Sequence, residues 1–212
     1  MRRIADITTV LLLIAAAYLI AQPSSLVRAR WVRHWSDRKT FRAANRHWSE
    51  IERAGSRLFS GRGGVEMVVI SDYECPFCRA SQAAIDSAVA RGVGIALLHY
   101  PGPSHPNAEG AARAAICAEP SGHFPRLHAQ LMQTDLWQKD EDWLREAGAA
   151  GVTESEQFDA CVTGEDARKR LLFQTELADS LLVTGTPTFV SLSGVHRGVA
   201  SLSQLLELAG RR

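Results

Sequence analysis

Cys75-Pro76-Phe77-Cys78 lies between the apolar run Val65-Glu66-Met67-Val68-Val69-Ile70-Ser71 and a helix-like stretch from Arg79 to Arg91, an order that restricts the fold more than any other feature. A strand must end and a helix begin within a few residues, with two thiols held at the junction. Cysteines separated by two residues can close a small disulfide ring, and a helix start stabilises a thiolate, the species that attacks and leaves in disulfide exchange. Pro76 suits the first helical position, where its missing N–H costs nothing, so Cys75 falls near the N-cap. Cys75 then reads as the attacking thiol and Cys78 as the resolving one. Two blander readings compete. Half a zinc site would need a second close pair of ligands, whereas Cys117 and Cys161 stand alone and His123 and His128 lie in another segment. The second alternative is an inert structural disulfide.

A second motif, Thr184-Gly185-Thr186-Pro187-Thr188-Phe189-Val190, places a proline just before an apolar β-like run. Proline cannot donate to a sheet ladder, so it belongs at a strand start or a special turn, and Thr186-Pro187 is a candidate cis bond. Between the motifs, Val65–Ser71 and Val93–Tyr100 read as buried strands flanking a helix, a βαβ unit whose strands should be parallel. From about 105 to 183 the pattern is helical, with breaks at Pro120 to Pro125, Gly148 to Gly151 and Gly164. Strands return at Thr188–Leu192 and Val195–Val199 around Ser193-Gly194, and a short helix over Ser201–Ala209 has Ser201 or Ser203 as N-cap.

CPFC after a strand, joined to Thr-Gly-Thr-Pro-Thr-Phe before a later one, resembles the thioredoxin superfamily, and within it the DsbA-like branch of extracytoplasmic thiol–disulfide oxidoreductases. The lead-in Ser71-Asp72-Tyr73-Glu74, the turn His105-Pro106-Asn107-Ala108 and the stretch Ala111 to Ala118 are similar as well. The resemblance covers roughly residues 64–209. It implies an α/β thioredoxin-like fold with a helical insertion. It also implies that Pro187 is a cis-proline against the Cys75 and Cys78 pair, with Thr186 offering backbone to an extended peptide. Pro76 and Phe77 complete the active-site motif, and the reactive group is the Cys75/Cys78 disulfide itself, with no metal or other cofactor.

Similar relatives, together with an even cysteine count, make Cys117 and Cys161 a structural disulfide candidate; two separately buried thiols are the alternative. His99 and His105 read as structural or turn histidines, since exchange needs no dedicated base once a thiolate is stabilised. Trp137 and Trp143 read as core or groove residues. Phe77 cannot donate a hydrogen bond to sulfur, so any oxidising strength must come from the helix and backbone. No phosphate-binding glycine loop, serine elbow or HExxH zinc motif is present in the sequence.

The N-terminus bears on location. After Met1-Arg2-Arg3, residues Ile7 to Ala21 are almost wholly apolar, which suggests a membrane-spanning signal anchor over 1–22, with a cleaved signal peptide as the alternative. Residues 1–63 carry 12 Lys and Arg against 4 Asp and Glu, net +8, while 64–212 carry 12 against 19, net −7, which together give the chain's +1. The segment 23–63 is therefore expected to be a basic amphipathic stalk. Trp31, Trp35, Phe41, Trp48 and Ile51 recur in it at roughly helical spacing, suited either to an anionic membrane surface or to packing on the catalytic domain, 64–212. The acidic domain argues against nucleic acid. The positive-inside tendency points the other way on topology, because the basic flank follows the span. The reading nevertheless places a single-pass protein in the cell membrane with its domain outside the cytoplasm. Its expected partners are cysteine-containing exported proteins and a membrane redox partner that resets the CxxC, with an oxidase role. A reductase or isomerase, including one serving cytochrome maturation, and a non-catalytic peptide-binding module are the alternatives.

Overall fold

The computed structural model describes residues 2–22, 26–61 and 63–211. The chain divides into two compact units, residues 1–39 and 40–212. The first holds helix α1 (Arg2–Ala21) and the start of α2 (Leu26–Ala54). Val10, Leu11, Leu12, Leu13 and Ile14 of α1 are exposed, and the rings of Trp31 and Trp35 lie 5.7 Å apart. The membrane span expected over 1–22 is not found in that form. Arg2, Arg3 and Asp6 are part of the helix, which leaves Ile7 to Ala21 as the apolar stretch, about 22 Å of helix against a hydrocarbon core of about 30 Å. Among the described residues no helix is long and apolar enough to cross a membrane.

The second unit begins within α2. Of the expected stalk, residues 23–25 and 62 lie outside the described residues. From Thr40 on it is packed, with Thr40, Ala43, Ala44 and Ile51 buried, and the chain then enters a short strand, β1 (Ser56–Phe59). Next come β2 (Met67–Ser71), α3 (Pro76–Ala90) and β3 (Ile95–His99). The insertion follows as α4 (Ala108–Cys117), α5 (Phe124–Gln133), a 3₁₀ turn (Leu136–Lys139), α6 (Trp143–Ala150), α7 (Ser155–Thr163) and α8 (Glu165–Ser180). The chain closes with β4 (Thr188–Ser191), β5 (Val195–Arg197) and α9 (Leu202–Leu208).

Among the described residues the strands form a five-stranded sheet in the order β1-β3-β2-β4-β5. β2 and β3 are parallel, from Met67 opposite Ile95 to Ser71 opposite His99, as a crossover through a helix requires. β1 runs antiparallel to β3, β4 to β2, and β5 to β4. Every residue of β2 and β3 is buried, because both faces of the sheet are covered. Met67, Val69, Ile95, Leu97 and Phe189 face the cluster built with α3, α9 and the insertion. Val68, Ile70, Ala96, Leu98 and Val190 face the cluster built with α2 and α8. Each of these buried side chains larger than alanine contributes about 1.5–3 kcal/mol.

α3 is amphipathic, burying Cys78, Ser81, Gln82, Ile85 and Ala88 at helical spacing. It stops where Gly92 takes φ +82°, with the Gly92 and Val93 N–H groups closing on Val89 and Ala88 carbonyls at 2.8 and 3.1 Å. At the other end of the domain Ser201 caps α9 in a reciprocal capping box with Gln204.

Candidate active site

β2 delivers the chain to Asp72, and the turn Asp72 to Cys75 is closed by the Cys75 N–H on the Asp72 carbonyl at 3.3 Å. Cys75 is the N-cap of α3, with extended φ −69° and ψ 117°, and Pro76 opens the helix. The Cys78 and Arg79 N–H groups close on the Cys75 carbonyl at 3.1 and 3.2 Å, so both thiols sit within the first helical turn. Both are free, and they are 4% and 1% exposed, which leaves an incoming sulfur a narrow approach to Cys75.

Their environments split them. The Cys78 thiol donates to the Cys75 sulfur, the largest effect lowering the Cys75 pKa. Burial opposes it, while the Thr186 side chain and the backbone of Cys78 and Phe77 assist, and together they bring Cys75 from an ordinary 9.0 to about 5. Cys78 moves up, chiefly through burial and then through its bond to Cys75, against weaker pulls from the Ser71 side chain and the Asp72 backbone. At neutral pH the arrangement holds one thiolate at Cys75 and one protonated thiol behind it.

The Thr186–Pro187 peptide bond is cis, and the Thr186 carbonyl lies 3.4 Å from the Cys75 sulfur, accepting from it when Cys75 is protonated, across 111 residues of sequence. Pro187 precedes β4 and its carbonyl takes the Gly198 N–H at 2.9 Å, which ties the loop to the end of β5. Phe77, between the cysteines, is 60% exposed, and its side chain offers no donor to sulfur.

The insertion packs against the same turn. Arg79 donates to the carbonyls of Tyr73 at 2.9 Å, Met132 at 3.4 Å and Thr134 at 2.9 Å, and lies over the Trp137 ring. Its charge therefore serves the joint between α3 and the insertion. Glu74 is held by the Asn107 N–H at 2.7 Å and the Asn107 side chain at 3.0 Å. Asp72 takes Glu74 N–H at 2.8 Å, Gly102 N–H at 2.7 Å and His105 Nδ1 at 2.6 Å. These contacts between the lead-in and the turn at 102–107 were invisible in the sequence, although both segments carried motif residues.

Below the turn lies a buried polar layer. Tyr73 Oη and His128 Nδ1 are 3.1 Å apart, His128 Nε2 meets Gln82 at 3.1 Å, and His99 Nε2 meets Ser56 Oγ at 3.1 Å. Burial holds His99 and His128 near pKa 3, hence neutral. Trp137 is fully buried with its indole N–H on the Thr134 carbonyl at 2.7 Å, and Trp143 packs beside it at 5.7 Å. Farther away Cys117 and Cys161 form a disulfide, linking α4 to α7. Among the described residues no group of three or more His, Cys, Asp or Glu is placed to hold a metal.

Residues 63–202 match the family model described as thioredoxin. The chain belongs to the thioredoxin superfamily. Among solved structures a thioredoxin-like oxidoreductase from Silicibacter pomeroyi is 27% identical, with TM-score 0.62 over 71% of this chain and 86% of that one. The thiol–disulfide exchange protein alpha-DsbA2 from Wolbachia pipientis superposes with TM-score 0.71 over 81% of this chain and 94% of its own, at 18% identity, a likeness of fold. This thioredoxin-superfamily chain thus shares its architecture with a thioredoxin-like oxidoreductase and with a DsbA-type thiol–disulfide exchange protein. Curated relatives include a Na(+)/H(+) antiporter NhaA 1 from Mycolicibacterium gilvum, 38% identical over 158 residues that make up 68% of this chain and 25% of the antiporter. The chain spans about a quarter of the length of these relatives.

Proposed function

We propose that this protein works outside the cytoplasm as an oxidase of cysteine-containing exported proteins, through Cys75 and Cys78. The reading is carried by the split pair: a thiol drawn down to about 5 at a helix N-cap, beside one pushed up by burial. In the disulfide form, a substrate thiolate attacks the Cys75 sulfur, the Cys75–Cys78 bond breaks, and Cys78 leaves and takes a proton. A second substrate thiolate then attacks the substrate sulfur of the mixed disulfide, and Cys75 leaves as a thiolate. The substrate loses two electrons and the enzyme gains them, so a redox partner, in the membrane on this reading, must take them away. Stabilising the reduced form in this way makes the disulfide a stronger oxidant. Thr186, beside cis-Pro187, is the backbone against which an extended substrate lies.

The Cys117–Cys161 bridge supports an oxidising compartment, since such bonds persist outside the cytosol. The apolar segment Ile7 to Ala21, with exposed side chains from Ile7 to Tyr18, supports delivery there as a leader or an anchor. One observation favours a reductase or isomerase instead: the Phe77 side chain supplies no donor to the thiolate. Redox equilibration of the purified protein with glutathione, read by alkylation and mass, tests the choice. An oxidase is expected to lie well above about −200 mV, whereas a value near about −270 mV contradicts it. A reporter active only outside the cytoplasm, fused to the C-terminus, is expected to be active; an inactive fusion contradicts the location.

A further inference from the structure

Asp72 is a carboxylate three residues before Cys75, and its side chain is fully buried. A buried anion there works against a second anion on the Cys75 sulfur, because like charges repel strongly where water is scarce. His105 answers it, reaching Asp72 Oδ2 at 2.6 Å with its ring 26% exposed. The turn that carries it closes tightly: a Cβ on Gly102 would stand 3.1 Å from His105 Nδ1 and 3.2 Å from Asp72 Oδ2. Asn107 grips Glu74 from the same turn, so 102–107 holds both acidic residues of the lead-in.

We propose that His105 is a positioning residue which, as an imidazolium held by Asp72, docks the 102–107 turn on the CxxC lead-in and neutralises Asp72, so that the His105 proton and the Cys75 thiolate stabilise each other. This rests on the reading of Cys75 as the attacking thiol. The charges that act on His105 are those of Asp72 just after β2, which it touches, Cys75 at the start of α3 and Glu74 in the lead-in; Arg79 is turned to the insertion carbonyls. The hydrogen bond that His105 donates to Asp72 raises the His105 pKa above 6.5, burial opposes, and the charges of Asp72, Cys75 and Glu74 add to the rise. A raised imidazole pKa means that the pair is fully formed at lower pH and is lost as pH climbs through that raised value. Thiolate and imidazolium therefore coexist from about pH 5 up to the raised His105 value.

Coupling of this kind is reciprocal. NMR titration of the His105 ring in the full chain, once reduced and once with the Cys75–Cys78 disulfide closed, reads it without any substitution. The reduced form is expected to titrate higher by about half a unit, the scale of a nearby charge pair in partly wet surroundings. His105→Asn keeps a donor for Asp72 and removes the charge. It is expected to raise the midpoint of Cys75 thiolate absorbance by a similar amount. Equal His105 titration in both redox forms overturns the proposal, as does an unchanged Cys75 midpoint in H105N. If Cys75 in the unsubstituted chain titrates near 9, the reading of the attacking thiol falls too; a low midpoint with no redox dependence of His105 overturns the coupling alone.

Discussion

The two cysteine pairs of this protein share an element, sulfur, and little else. Cys75 and Cys78 are two residues apart, begin a helix and stay free, whereas Cys117 and Cys161 are 44 residues apart, come from two packed helices and are bridged. In the first pair the surroundings treat the sulfurs unequally, one stabilised as an anion and one buried as a thiol. In the second, the bridge closes a long loop in the insertion and is remote in sequence from both CxxC and Thr186–Pro187. Reactivity thus follows from asymmetry at a helix terminus, and inertness from a bond that only restricts the unfolded chain.

The sharpest way to separate the pairs is to remove one sulfur at a time. Cys75→Ser is expected to abolish dithiol oxidation of a model peptide, while Cys78→Ser is expected to accumulate mixed disulfides through Cys75 on non-reducing gels. Trapping through Cys78 in the C75S chain would reverse the assigned roles. Replacing Cys117 and Cys161 together with alanine is expected to cost about 2–4 kcal/mol in denaturant unfolding and to leave the exchange rate of the folded protein nearly unchanged. A large loss of rate in protein that remains folded would mean that the second pair takes part in the chemistry.

Stability against pH offers a subtler contrast. The Cys75 pKa is lowered on folding, so the stabilisation of the reduced protein is complete above about 9 and is lost as pH falls toward about 5. Cys78, shifted upward, adds little dependence below about 8, where it is protonated in both states. The stability gained by reducing Cys75–Cys78 is therefore expected to grow as pH rises from 5 to 9, measured by thermal unfolding of the two redox forms. A flat difference would show that the thiolate is not stabilised. A smaller effect is expected from Phe77→His, whose added donor should move the glutathione equilibrium several-fold toward the reduced enzyme.

Much of the catalytic frame was legible because its signals are local. Val65 to Ser71 is a run of buried β-formers, Pro76 marks a helix start, and Pro187 marks the approach to β4; these fixed the parallel β2 and β3 and the return to the sheet. β1 was hidden. Ser56-Arg57-Leu58-Phe59 has no apolar periodicity, and it pairs because β3 presents an open edge and because Ser56 meets His99 and Glu119 in the interior. The basic helix was ambiguous for a related reason. Its second half is packed, one of the two settings expected for it, but apart from Ile51 it buries alanines and Thr40, small residues that carry little hydrophobic signal. The Asp72–His105 contact spans 33 residues, and the long-range pairing of polar groups leaves no periodic trace.

Site-resolved alkylation of the reduced protein between pH 4 and 10, with each cysteine followed by peptide mass, addresses the split pair at its source. Cys75 is expected to react with a midpoint near pH 5 while Cys78 stays unlabelled to at least pH 9. A Cys75 midpoint near 9, or labelling of Cys78 ahead of Cys75, would contradict the assignment of attacking and resolving thiols.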